Sequence, residues 1–131
     1  MKNGFLEYKS TNWTVKLPND WIVEEHKECL SFYGEHGIGA LQISAYSKDE
    51  IVTLEDLKEF AQDEVPKEEN IESVIVGSYF GLQVEYEYKK TFWRMWFLAR
   101  DKVFLYVTYN CDFEERKTER DKVSQIIDSL K

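Results

Sequence analysis

The sequence predicts an α+β protein, an antiparallel β-sheet meander sandwiched between helices. Three observations carry that reading. Leu82, Val84, Tyr86 and Tyr88 alternate with Gln83, Glu85, Glu87 and Lys89, the period of a strand with one apolar face. The stretch TFWRMWFLARDKVFLYVTYNC, residues 91 to 111, crowds aromatic and aliphatic side chains on both sides of a polar break at Arg100-Asp101-Lys102. Between such stretches the apolar period changes to that of a helix, once after Thr53 and once near the C-terminal end.

Taken in chain order, Trp13, Val15 and Leu17 alternate with polar residues as a half-buried strand does. Leu17-Pro18-Asn19-Asp20-Trp21 reads as a turn, since proline, asparagine and aspartate all favour one. Short runs at Trp21–Val23 and Cys29–Tyr33 follow, with a hairpin loop over Gly34–Gly37 and a further strand through Leu41, Ile43 and Ala45. Thr53 and Asp56 have the spacing of a capping box, with aspartate where glutamate or glutamine is usual. Leu54, Leu57, Phe60, Ala61 and Val65 form the apolar stripe of that helix, which Pro66 stops.

Residues 71 to 111 return to strand character as a four-strand meander, with Gly77–Gly81 closing its first strand. A two-residue turn at Arg100-Asp101 would set Leu98 opposite Val103, Trp96 opposite Leu105 and Phe97 opposite Phe104. Both faces of these last strands are apolar, which predicts a central position covered on both sides. Asp112 and Glu115 are placed as a reciprocal cap for a closing helix, which docks through Val123, Ile126, Ile127 and Leu130.

Length and composition bound the function. The 131 residues suit one domain, 1–131, with 43% hydrophobic and 32% charged residues. The N-terminal MKNGFLEYKSTNW has no apolar core for a secretory signal, and no window is long and apolar enough for a transmembrane helix. Cys29 and Cys111 read as buried free thiols of a reducing compartment, so the expected location is cytoplasmic, with no membrane contact. A base-stacking platform interleaves its aromatics with basic residues, whereas within these strands Arg94 stands alone in a protein of net charge −8; nucleic acid is therefore not expected.

Catalytic chemistry is sparse. The two histidines, His26 and His36, and the two cysteines have no metal-ligand spacing, although a Cys–His nucleophilic pair is formally open. No phosphate-binding loop, nucleophile elbow or zinc-protease motif occurs. The expectation is a protein that is not an enzyme and carries no cofactor or metal.

Charge supplies the one functional asymmetry. Residues 49 to 72 hold ten acids against Lys58 and Lys67, which equals the whole net charge of −8. Such a segment either keeps the protein soluble or docks a basic partner. The docking candidates are Glu55, Asp56, Glu59, Asp63 and Glu64. The competing expectation is a small-ligand module with a pocket lined by Trp93, Trp96, Phe104 or Tyr106.

The order of the pieces resembles the PsbP-like fold, shared by photosystem extrinsic proteins, the Ran-binding Mog family and bacterial DcrB-type domains. The residues that carry the resemblance are "LPNDW", "IGALQIS", the helix start "TLEDL", the meander ending "YVTYNC" and the closing "VSQIIDSL". It implies a sheet between helices and a habit of binding other proteins, with no catalytic residue to carry over. The small acidic chain is most similar to the bacterial members. A specific form of the interaction reading is an immunity-type protein that neutralises a basic toxin such as a nuclease.

Overall fold

The computed structural model describes residues 4–35, 37–67 and 69–131. Met1, His36 and Glu68, on which parts of the signal, Cys–His and acid-segment readings fall, lie outside the described residues. Nine strands and two α-helices are described: β1 (Phe5–Lys9), β2 (Thr14–Pro18), β3 (Trp21–Glu25), β4 (Leu30–Gly34), β5 (Ala40–Ser47), α1 (Leu54–Glu64), β6 (Glu72–Val76), β7 (Tyr79–Tyr88), β8 (Thr91–Arg100), β9 (Val103–Asp112) and α2 (Arg120–Asp128).

Seven of the strands form one antiparallel sheet in the order β3-β4-β5-β9-β8-β7-β6, and β1 and β2 form a separate hairpin. The predicted meander is β6 to β9, and β5 joins it by pairing with β9 from Ala40↔Asn110 to Ser47↔Val103. This is the α+β architecture expected from the alternating periods. The aromatic stretch is the middle of the sheet and is covered on both faces.

One face carries Leu82, Val84, Met95, Phe97, Ala99 and Phe104, packed under Leu57, Ala61 and Val65 of the α1 segment. The other carries Phe92, Trp96, Leu98, Leu105, Val107 and Tyr109, covered by Trp13, Val15 and Leu17 of the β2 region and by Val123, Ile126, Ile127 and Leu130 of the α2 region. Backbone bonds between Thr14 and Lys131, at 2.9 and 3.0 Å, tie the hairpin to the residue beyond α2. The helix therefore docks through the apolar stripe its sequence shows.

Four expectations need correction. β1 is a strand that the alternation did not reveal, because Phe5 and Leu6 on adjacent positions are both exposed. The β8–β9 turn lies at Asp101-Lys102, so Arg100 pairs with Val103, Leu98 with Leu105, Trp96 with Val107 and Phe97 with Tyr106. That is a shift of two residues in the pairing, which keeps every side chain on its predicted face because the side-chain period is two. Asp101 takes the left-handed backbone of this turn, at φ 55°.

Gly81 is inside β7 rather than in the preceding turn, which is confined to Gly77 and Ser78. A Cβ on Gly81 would lie 1.9 Å from the Phe97 carbonyl oxygen, so only glycine permits this close approach of β7 to β8. The Asp112–Glu115 cap does not form. A 3₁₀ turn over Phe113–Glu115 intervenes, and Glu115 instead accepts from the Thr118 hydroxyl at 2.8 Å.

Candidate docking surface

α1 is held where its sequence says it should start. The Thr53 hydroxyl oxygen accepts from the Asp56 N–H at 3.2 Å, and the Thr53 N–H donates to Asp56 Oδ2 at 2.9 Å. Both bonds satisfy donors left free by the first helical turn. The backbone hydrogen bond, then the side-chain one, holds the Asp56 carboxyl below its usual range. The loop before the helix is also pinned, since Lys48 N–H donates to Lys102 C=O at 2.8 Å and Val52 N–H to Asp101 C=O at 2.9 Å.

These anchors create an open hollow of about 760 Å³ between α1 and the loop. The helix contributes Asp56, Glu59, Phe60 and Asp63, which fall at i, i+3, i+4 and i+7 and so share one flank. The loop contributes Lys48, Asp49, Glu50 and Ile51. Five carboxylates and one lysine thus line the hollow with three apolar side chains, Ile51, Val52 and Phe60, of which Ile51 is 64% exposed. Among the described residues no three His, Cys, Asp or Glu groups converge as metal ligands. The hollow presents a diffuse negative field rather than a point site.

The five expected docking acids divide. Asp56, Glu59 and Asp63 share the hollow, whereas Glu55 lies off it with Lys58 3.9 Å away. Glu64 turns to the sheet and accepts from the Tyr106 hydroxyl at 2.9 Å. Burial, then that bond to Glu64, pushes the Tyr106 hydroxyl well above the usual phenol range. Asp49 and Glu50, singled out by no motif, complete the hollow. Their part in the acid count was readable, but their convergence with α1 depends on the pinned loop.

The four expected pocket aromatics do not share a wall. Trp96 is buried in the cluster facing α2, whereas Trp93, Phe104 and Tyr106 belong to the cluster beneath α1. Their odd or even position along the strand puts them on opposite faces. Phe60 reaches down from α1 onto Phe104 and Tyr106, with ring centroids 4.9 and 5.1 Å away in edge-to-face contacts, and Phe97 stacks on Tyr106 at 5.4 Å. These rings are core.

Cys29 and Cys111 are free thiols; Cys111 is buried as expected, whereas Cys29 is only half-buried. His26 and Cys29 line a smaller hollow of about 280 Å³ and are joined by a backbone bond from His26 N–H to Cys29 C=O at 2.9 Å. The nearest described acid to the His26 ring is Glu24, at 3.7 Å. Glu119, which sequence reasoning missed, accepts from the Tyr109 hydroxyl at 2.7 Å and from the Gly39 and Ile38 N–H groups at 3.2 and 3.3 Å. It clasps the β4–β5 loop to the start of α2. Glu85 bridges Arg94 and Arg120 at 3.2 and 2.6 Å. No helix of the described residues is long and apolar enough to cross a membrane.

Comparison with known proteins places the fold. No protein-family model and no curated protein matches the chain. Among solved structures, the solution structure of cyanobacterial PsbP, CyanoP, from Synechocystis sp. PCC 6803 matches with a TM-score of 0.71 and 12% identity, over 98% of this chain and 92% of that one. A crystal structure from Bacteroides thetaiotaomicron VPI-5482 matches with a TM-score of 0.67 and 14% identity, over 100% of this chain. The chain spans about half, 48%, of the length of that Bacteroides protein. The fold is PsbP-like; identities this low speak for the fold alone.

Proposed function

We propose that the protein is a cytoplasmic, non-catalytic interaction domain that docks a basic protein partner on the acidic flank of α1. The observation that carries this is the hollow in which Asp49, Glu50, Asp56, Glu59 and Asp63 surround exposed Ile51. A negative field around an apolar contact speeds encounter with a basic surface and then offers it area to bury. Neutralisation of a basic toxin is the most specific form of the reading, because a clustered acidic face can mask a surface built for phosphate.

The test is affinity capture from the source organism at low and high salt, with the native chain and with a Glu59→Lys/Asp63→Lys variant. The expected result is a basic protein held by the native chain, released by salt and lost in the variant, whose unfolding curve is unchanged. Capture indifferent to both salt and variant would sink the proposal and leave the acids as solubilising surface.

A further inference from the structure

The outer strand β6 is unlike a protected edge. Among the described residues it pairs with β7 alone and ends the seven-stranded sheet. After Glu72 it reads Ser73-Val74-Ile75-Val76, with no lysine, proline or glycine to blunt the edge. At the opposite outer strand, β3 ends in Glu24 and Glu25, charges of the kind that discourage pairing. Alternate N–H and C=O groups of β6 face outward, as in any edge strand.

The same edge has an apolar groove beside it. Ile75, 80% exposed, pairs with Phe80, itself exposed, and both stand on the α1 side of the sheet. Leu54, in the first turn of α1, closes a hollow of about 400 Å³ with Ser73, Ile75 and Phe80. Leu54 lies across the helix from Asp56, Glu59 and Asp63, so groove and acidic hollow flank one helix. Glu55 follows Leu54 in α1, and Glu72, which pairs with Gln83, lies on the opposite face of β6 from Ser73 and Ile75.

We propose that β6 takes an extended, basic segment of the partner as a further strand, with one apolar side chain of that segment seated between Leu54, Ile75 and Phe80. Backbone pairing at a free edge gives such a segment its affinity, and pockets for alternate side chains give it selectivity. Charge selects a basic occupant over a second copy of the chain. Self-pairing would bring together two copies of the segment that holds the net charge of −8, whereas lysine or arginine alternating with the apolar anchor turns to the sheet face that carries Glu72, of opposite sign. This inference rests on the reading of α1 as a dock for a basic protein, and extends that dock to the sheet edge.

A short capped peptide alternating lysine and isoleucine is the probe, with a form N-methylated on alternate backbone nitrogens and an oligolysine of equal length as controls. Amide hydrogen exchange reads the edge, and titration reads affinity. The probe should slow exchange of outward amides within residues 72–76. Affinity should fall about tenfold on N-methylation and by a similar factor in Ile75→Ser, which removes one exposed apolar side chain and leaves charge unchanged. Because Ile75 is exposed, that variant should unfold like the native chain.

Binding that Glu59→Lys/Asp63→Lys abolishes, but that Ile75→Ser, N-methylation and β6 exchange do not register, would overturn strand addition and leave the basic dock standing. No binding of probe or oligolysine to any form would overturn both. A native dimer that Ile75→Ser turns into monomer, with no peptide bound, would overturn the inference by making the occupant a second copy.

Discussion

Thr53 and Asp56 show how much two side chains decide. Their reciprocal bonds fix where α1 begins and hence which carboxylates face the loop. Thr53→Ala should cost about 1 kcal/mol of stability in urea unfolding, the usual consequence of losing an N-cap. Asp56 has its own pH signature. Its folded pKa is lowered, so its contribution is fully present above the unfolded value of 3.8 and is lost as pH falls through the lower folded value. An Asp56→Asn variant should therefore lose less stability than the native chain between about pH 4 and acid unfolding. Parallel acid titrations of the two proteins would contradict this.

Two lysines carry the opposite kind of information. Lys89 and Lys90 join β7 to β8 with φ of 51° and 69°, left-handed backbone that side chains other than glycine, asparagine and aspartate disfavour. Lys89→Asn/Lys90→Gly supplies the residues this turn prefers and should stabilise the protein by roughly 1 kcal/mol, read as a raised denaturation midpoint. An unchanged midpoint would mean that the lysines make compensating contacts.

At the scale of elements, α1 has a buried stripe and two unlike flanks. Leu57→Ala should cost about 3 kcal/mol because Leu57 is fully buried against the sheet. Substitutions on the acidic flank should leave stability nearly unchanged and alter binding. Geometry sharpens this: Glu59→Lys should weaken partner binding, whereas Glu64→Gln should not, since Glu64 is turned toward Tyr106. Equal loss in both would mean that total helix charge, rather than the hollow, makes the dock.

The elements that were legible in the sequence are those whose periodicity met a single apolar environment. The α1 stripe, the β7 alternation and the α2 stripe each appear where the residues put them. β1 was not legible because its apolar residues do not alternate with burial, and its place depends on pairing with β2. The β8–β9 register was off by two because a turn of Arg100, Asp101 and Lys102 offers two central pairs; burial parity cannot separate them. Glu119 was hidden for a different reason: its partners lie ten and about eighty residues away, and no local spacing announces them. The same holds for Asp49 and Glu50, which gain a role in the hollow only when the loop is pinned to the β8–β9 turn.

Across the whole molecule, burial and charge are separated. The two apolar clusters lie on the two faces of the sheet, each with its own cover, and the net negative charge is concentrated in residues 49 to 72, on α1 and its flanks. Such an arrangement lets charge change without disturbing the core, so charge-reversed variants remain usable tests. It also makes the partner's encounter kinetics the property most sensitive to the proposed role, because focused charge acts on association more than on dissociation. The most direct measurement is the association rate of the captured basic partner as ionic strength is raised. The expected result is a steep fall with salt in the native chain and a drop of about tenfold at low salt for Glu59→Lys/Asp63→Lys, with dissociation little changed. A rate flat with salt and equal in the two proteins would contradict it.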